Sequence, residues 1–275
     1  METLKSIFKF YINSSIHVAL AICALVQVTF IKFGVNEKYT FLAFCFLGSI
    51  AAYNFVKYSK VSKLYHRRLT RSMKGIQVLT GISLILFLYF AYLMPYDTLL
   101  YMAPFIALTV LYAVPVFPKK RNLRSIAGIK IFIIGLVWAG ITVLVPVIYI
   151  EGDLNFDFLI EMIQRFLFIV VIMLPFEIRD LEYDNEELET VPQMIGVTRT
   201  KVFGSALLVL FLLLTAIKDD LSSVEILSTI LITTLSLLFL WGTDRRQSEY
   251  YCSFWVESVP FMWLAILIIL QQLFS

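Results

Sequence analysis

Long apolar runs alternate with short polar segments along this chain, and the pattern predicts a bundle of membrane-spanning helices. A helix of roughly 20 apolar residues crosses a hydrocarbon layer about 30 Å thick. Lipid offers the backbone no hydrogen bonds, so only helices or a closed barrel can span it, and runs without strict alternation favour helices. We predict nine spans, with approximate bounds 15–33, 40–57, 76–94, 97–116, 126–150, 157–177, 201–217, 224–241 and 253–273.

The composition supports this prediction. The 275 residues are 60% hydrophobic and only 16% charged, whereas soluble domains carry about 25% charged residues. We therefore expect a polytopic membrane protein surrounded by lipid, and no nucleic acid among its partners.

The basic residues predict the orientation of the bundle. With nine spans and a cytoplasmic N-terminus, nineteen of the 23 lysines and arginines fall in cytoplasmic segments or at their edges. We therefore expect a multi-pass protein with a cytoplasmic N-terminus and a C-terminus on the opposite side. Arg165 falls within the sixth span, where it can pair with Glu161 at helical spacing.

One acidic stretch interrupts the apolar pattern: "RDLEYDNEELETVP", residues 179–192. If the sixth helix continues past Pro175, Asp180 and Asp184 share one helix face, because they are four residues apart. Two such carboxylates suit magnesium, which takes one or two carboxylates and often phosphate oxygens as well. The same pattern also fits a solvated acidic loop at a helix end, and the spacing alone leaves both interpretations open.

Several stretches resemble the UbiA superfamily of intramembrane prenyltransferases. The acidic motif with Thr190 and Pro192 behind it is similar to that family's second aspartate-rich motif. "LYAVPVFPKKRNLRSIAGIK" (111–130) resembles its tyrosine and basic residues before the fifth helix, and "YYCSFWVES" (250–258) resembles the start of its last helix. The resemblance implies two aspartate-rich motifs at the cytoplasmic mouth of a cavity, where magnesium binds an isoprenyl diphosphate.

The resemblance carries the second motif onto Asp180 and Asp184, as catalytic residues and magnesium ligands, and Arg179 also matches. The first motif is degenerate. Its counterpart "NFVKYSKVS" (54–62) keeps Asn54, a further catalytic candidate, but has no aspartate. Lys57 places a positive charge there instead, and lysine binds phosphate as a point charge. We therefore expect one magnesium ion rather than two.

Other polar residues complete the candidate site. The candidate diphosphate-binding residues are all basic: Lys57, Arg68, Arg71, Lys119, Lys130 and Arg179. Tyr112, near the inner end of the fourth span, is a catalytic candidate that would contact the diphosphate, although an interfacial aromatic residue is the alternative. Glu257 is a further possible site residue because intramembrane acids are commonly functional. It can equally be protonated and hydrogen-bonded between helices.

Together these features predict an all-α fold in one domain, residues 1–275. Two four-helix units, about 1–120 and 121–245, precede the last helix. The expected function is transfer of an isoprenyl group from an isoprenyl diphosphate to an unidentified acceptor, which would make the protein an alkyl transferase. A non-catalytic isoprenoid-binding protein that has lost turnover is the main alternative. A transporter is less favoured because the polar residues concentrate at one face rather than along a path.

Overall fold

The computed structural model describes residues 2–36, 38–58, 71–116, 122–182 and 188–274. These residues form helices and no strand, as the sequence predicted. The α-helices are α1 Glu2–Asn13, α2 Ile16–Lys32, α3 Tyr39–Tyr58, α4 Arg71–Tyr92, α5 Tyr96–Ala113, α6 Lys130–Ala139, α7 Val145–Tyr149, α8 Phe156–Asp180, α9 Val191–Ile195, α10 Val197–Thr215, α11 Ser223–Trp241 and α12 Val259–Phe274.

Eight helical segments of the described chain are long and apolar enough to cross a membrane, and α1 with α2 adds a ninth if that bent pair is one span. The protein is therefore an integral, multi-pass membrane protein. The first span was predicted to begin near residue 15, but a further amphipathic helix, α1, precedes it. Ser15 adopts a left-handed backbone conformation (φ 63°), which cannot continue a right-handed helix, and α1 bends 58° away from α2.

The fifth span combines α6, a π-helical turn Gly140–Leu144 and α7. Pro146 lacks an N–H and so leaves the carbonyl of Thr142, four residues earlier, without its helical partner. The Thr29 hydroxyl of α2 donates to that carbonyl at 2.6 Å. This contact fastens α2 to the fifth span where proline disrupts its hydrogen bonding.

The site end of the bundle is where α3 and α8 end, at Tyr58 and Asp180, and the far end is where α2 ends and α11 begins. The α8 helix passes through Pro175 without a break and reaches Asp180, so Asp180 does lie on the sixth span's helix. The largest apolar core packs α2, α8 and α12 around the fully buried Trp263 and Phe168.

A buried ionic cluster joins four elements at the far end. Glu161 of α8 accepts from Lys32 at 2.7 Å, from Lys218 at 2.9 Å and from Arg165 at 3.1 Å. Glu225 of α11 pairs with the same two lysines. The predicted Glu161–Arg165 contact within α8 is confirmed.

The Arg165 guanidinium of this cluster is fully buried. It also donates to the Leu25 carbonyl at 2.9 Å and to the Thr142 hydroxyl at 3.1 Å, and it stacks over the Trp263 ring at 5.0 Å. A buried charge is tolerated only when it is paired and hydrogen-bonded in this way. The cluster therefore holds α2, α8, α11 and α12 together.

Candidate functional site

Asn54 lies one turn before the end of α3 and is almost completely buried. Its amide nitrogen donates to the Ser14 carbonyl at 3.1 Å and to the Thr80 hydroxyl at 2.9 Å, and its amide oxygen accepts from the Ser15 hydroxyl at 2.8 Å. These bonds tie the α1–α2 junction to α3 and α4. Asn54 was predicted to be catalytic, and the structure shows its side chain engaged in contacts between helices.

Lys57 follows on the next turn of α3. Its ammonium donates to the Asn13 carbonyl at 3.2 Å, and the Tyr58 hydroxyl donates to the same oxygen at 3.0 Å. The counterpart of the first aspartate-rich motif therefore binds the C-terminal end of α1. The ammonium has a single backbone acceptor in this contact and lies close to charged groups from two other helices.

Asp180, the last residue of α8, forms a two-point ion pair with Arg179. The Arg179 Nε–Asp180 Oδ1 distance is 2.7 Å, and the Nη2–Oδ2 distance is 3.1 Å. Both side chains are about 30% exposed, and the guanidinium also stacks over Phe176 at 5.1 Å. The Asp180 carboxylate is thus held in place at the mouth of the bundle.

Glu257 lies in a 3₁₀ turn, Val256–Ser258, near the start of the last span. Lys57 and Arg179 both interact electrostatically with its carboxylate, and Lys57 also senses the charge of Arg179. Cations from α3 and α8 therefore converge with Glu257 and Asp180 at the site end. We call Lys57, Arg179, Asp180 and Glu257 the charged cluster.

Two further candidates, Tyr112 and Lys130, are buried at the end of α5 and at the start of α6. Tyr112 is buried at the end of α5 and interacts electrostatically with Tyr53 of α3. Lys130 is buried at the first residue of α6, just after Gly128, whose N–H donates to the Leu188 carbonyl at 3.0 Å. The start of α6 thus packs against the segment that follows the acidic motif.

Four candidates cannot be placed by their side chains. Asp184, Arg68 and Lys119 lie outside the described residues, and Arg71 is described only as the first residue of α4. Their roles therefore stay predictions.

An apolar cavity of about 460 Å³ lies between α2, α3, α4, α5 and the fifth span. Tyr53, Val56 and Tyr112 line it toward the site end, and Cys45, Phe87 and Met102 line it toward the far end. Since Val56 directly precedes Lys57, and Tyr53 interacts electrostatically with Glu257, the cavity ends beside the charged cluster.

The sequence did not point to three residues of this region. Trp138 of α6 donates its indole N–H to the Tyr53 hydroxyl at 2.6 Å, and the two rings stand nearly perpendicular, with centroids 6.3 Å apart. Glu177, buried one turn before Asp180, accepts from the Val191 N–H at 3.2 Å and so fixes the start of α9. The only signal for Tyr53 was its position next to Asn54, and an aromatic residue in an apolar span does not stand out.

Among the described residues, Asp180 is the candidate carboxylate ligand for magnesium at the site end. No three of their His, Cys, Asp or Glu side chains lie close enough to share a metal ion. Asp180 presents two oxygens at the mouth, both now bound by Arg179. One or two carboxylates suffice for magnesium when phosphate oxygens complete its coordination.

Comparison with known proteins supports the fold. No family model and no curated protein matches the chain. Among solved structures, the apo form of a UbiA homolog from Aeropyrum pernix K1 covers 92% of this chain and 98% of its own, at 14% identity and a TM-score of 0.65. The match to a digeranylgeranylglyceryl phosphate synthase covers 98% of this chain and 97% of the synthase, at 16% identity and a TM-score of 0.55. The chain therefore has the UbiA fold, as its acidic motif and helix pattern predicted.

Proposed function

We propose that the protein is an intramembrane prenyltransferase, which takes an isoprenyl group from an isoprenyl diphosphate and passes it to an acceptor. The observation that carries the proposal is the junction of the apolar cavity with the charged cluster. An isoprenyl diphosphate has the same two-part character, an apolar chain joined to a polyanion. The UbiA fold and its synthase neighbour support the same reaction class.

The cationic side chains of the charged cluster would bind the diphosphate. Arg179 offers a planar set of donors that matches phosphate oxygens, and Lys57 supplies a point charge from the opposite helix. Glu257 interacts electrostatically with both cations and is a further proposed residue of the site. Arg68, Arg71, Lys119 and Lys130 are further proposed contacts.

Asp180 and Asp184 would hold a single magnesium ion, which would supply charge neutralisation for the leaving group. When Arg179 turns to the phosphate oxygens, Asp180 is released from its ion pair and its carboxylate becomes available as a ligand. Once the substrate is bound, these groups would be held in place to stabilise the charge that builds on the leaving diphosphate.

The aromatic side chains at the cavity end would face the reacting carbon. Tyr53, Trp138 and Tyr112 line the cavity next to the charged cluster, and aromatic faces attract cations. The Trp138–Tyr53 hydrogen bond fixes the orientation of both rings. This arrangement suits an allylic cation that forms as the carbon–oxygen bond breaks.

Binding of farnesyl diphosphate to the full chain in nanodiscs tests the proposal, with and without magnesium, alongside the release of diphosphate. Asp180→Asn is expected to remove the magnesium dependence, because it removes a proposed metal ligand. Lys57→Ala is expected to weaken binding about ten-fold or more, because it removes a cation that would contact the polyanion. Asp244→Asn and Lys74→Ala make the same changes on exposed side chains at the site end and serve as controls. Equal binding by wild type, Asp180→Asn and Lys57→Ala would remove these residues from the site.

A non-catalytic isoprenoid-binding role is the second candidate. It is favoured by Asn54, whose amide is fully engaged between helices. Tight binding of farnesyl diphosphate with no diphosphate release in the presence of varied acceptors would support this role over turnover.

A further inference from the structure

We infer that the cavity accepts an isoprenyl chain of about three units, and that Phe87 and Met102 form the floor that sets this limit. The inference rests on the proposed function and adds the length of the chain, which neither the fold nor the charged cluster defines. It follows from the depth of the cavity, its volume and the packing at its far end.

The depth follows from helix geometry. The cavity extends along α3 from Val56 to Cys45, eleven residues, which at about 1.5 Å per residue is about 16 Å. An isoprene unit adds four chain bonds, or about 5 Å when extended at about 1.2 Å per bond. About three units therefore reach from the charged cluster to the floor.

The volume is of a compatible size. The cavity, which is open on its flank, holds about 460 Å³. A carbon with its hydrogens occupies roughly as much space as a liquid water molecule, about 30 Å³, so a volume of this size is on the order of fifteen carbons, or three isoprene units.

The floor is firmly packed. The Phe87 ring of α4 stacks on Phe44 with centroids 4.9 Å apart and lies across Gly48, where an added Cβ would come within 2.8 Å of the ring. Met102 of α5 is buried in the same apolar cluster as Phe41 and Phe44. These side chains lie at the far end of the cavity lining and would stop a longer chain from extending straight, because packed cores resist overfilling.

The preference for chain length should arise because long chains bind more weakly, and not because short chains gain affinity. A chain leaving lipid for an apolar cavity gains little, because lipid is as apolar as the cavity wall. The flank of the cavity carries Leu84, Ile106 and Val110, which are partly exposed on α4 and α5. A long chain that passed out between these helices would escape the floor, and the experiment distinguishes this outcome.

The test is a competition series on the full chain in nanodiscs, with labelled farnesyl diphosphate displaced by isoprenyl diphosphates of 10, 15, 20, 25 and 30 carbons. We expect similar affinity up to 15 carbons and a fall of about ten-fold or more by 25 carbons, because overfilling a packed site costs affinity. Phe87→Ala removes six ring carbons, about one isoprene unit, so the fall in affinity should begin at chains one unit longer. Phe90→Ala makes the same change on α4 at a residue that does not line the cavity, and should leave it unmoved.

Ala52→Phe provides the opposite change. Ala52 lines the cavity between Gly48 and Val56, so a ring there should move the fall to chains one unit shorter. Undiminished binding at 30 carbons, or a fall that neither variant moves, would overturn the length limit while leaving the proposed function intact. If none of the diphosphates binds, the proposed function is overturned together with the inference.

Discussion

Neutralising Glu161 should destabilise the far end of the bundle, because this carboxylate pairs with three buried cations. In Glu161→Gln, Arg165 loses its ion pair while remaining fully buried, and both lysines keep only Glu225. Removing one partner of a buried pair costs about 3–5 kcal/mol, because the remaining charge is left uncompensated. At about 2–4 °C per kcal/mol for a chain of this size, the midpoint of thermal unfolding should fall by about 10 °C.

Thermal unfolding of the purified protein in detergent measures this effect. Asp153→Asn, an exposed carboxylate in the loop before α8, is the control and should change the midpoint little. Combining Glu161→Gln with Arg165→Met should cost less than the two single changes added together, because the second removes the unpaired charge that the first creates. A Glu161→Gln protein as stable as the control would refute the view that the cluster fastens these helices.

Two further predictions concern the same bundle. Burial lowers the pKa of Lys218, but the carboxylates of Glu161 and Glu225 outweigh burial and hold that pKa above its ordinary value of 10.5. The folded protein therefore binds this proton more tightly than the unfolded chain does. The resulting stabilisation is fully present at neutral pH and is lost as pH rises above about 10.5. Unfolding midpoints measured from pH 8 to 12 should therefore decline more steeply for wild type than for Lys218→Met, and parallel declines would contradict this. Gly140→Ala should destabilise by about 1–3 kcal/mol, because its Cβ would lie 2.1 Å from the Phe105 ring; Gly81→Ala, with open space around the Cβ, is the matched control for the same thermal assay.

The spans could be predicted from the sequence because lipid imposes one simple requirement, a long apolar helix. The second span was expected at 40–57 and is Tyr39–Tyr58, and the eighth was expected at 224–241 and is Ser223–Trp241. The α1 helix was missed because its amphipathic pattern is short and continues into the first span. The bend that follows it, at Ser14 and Ser15, is held by hydrogen bonds to Asn54, a residue about forty positions away.

The candidate site was predictable only in part. The sequence named Lys57 and Arg179 as diphosphate-binding candidates and Glu257 as a possible site residue, and the three interact electrostatically in the structure. Their roles in a site stay predictions. The partner of Lys57, a backbone carbonyl of α1, had no signal in the sequence because any residue can present a carbonyl. Of the far-end cluster, only Glu161–Arg165 could be foreseen, since its spacing is local and the other partners come from separate helices.

The local pair within α8 has a consequence for how the chain enters the membrane. An isolated charge within a spanning helix makes insertion unfavourable, by up to about 2.5–3.5 kcal/mol at the helix centre on biological insertion scales. Glu161 and Arg165 are one turn apart and face each other, so this segment carries its own counter-charge before any other helix arrives. Lys32 and Lys218 lie at helix ends, where long side chains reach the headgroups until Glu161 becomes available. Biogenesis can therefore proceed helix by helix, with the shared ion pairs completed only at assembly.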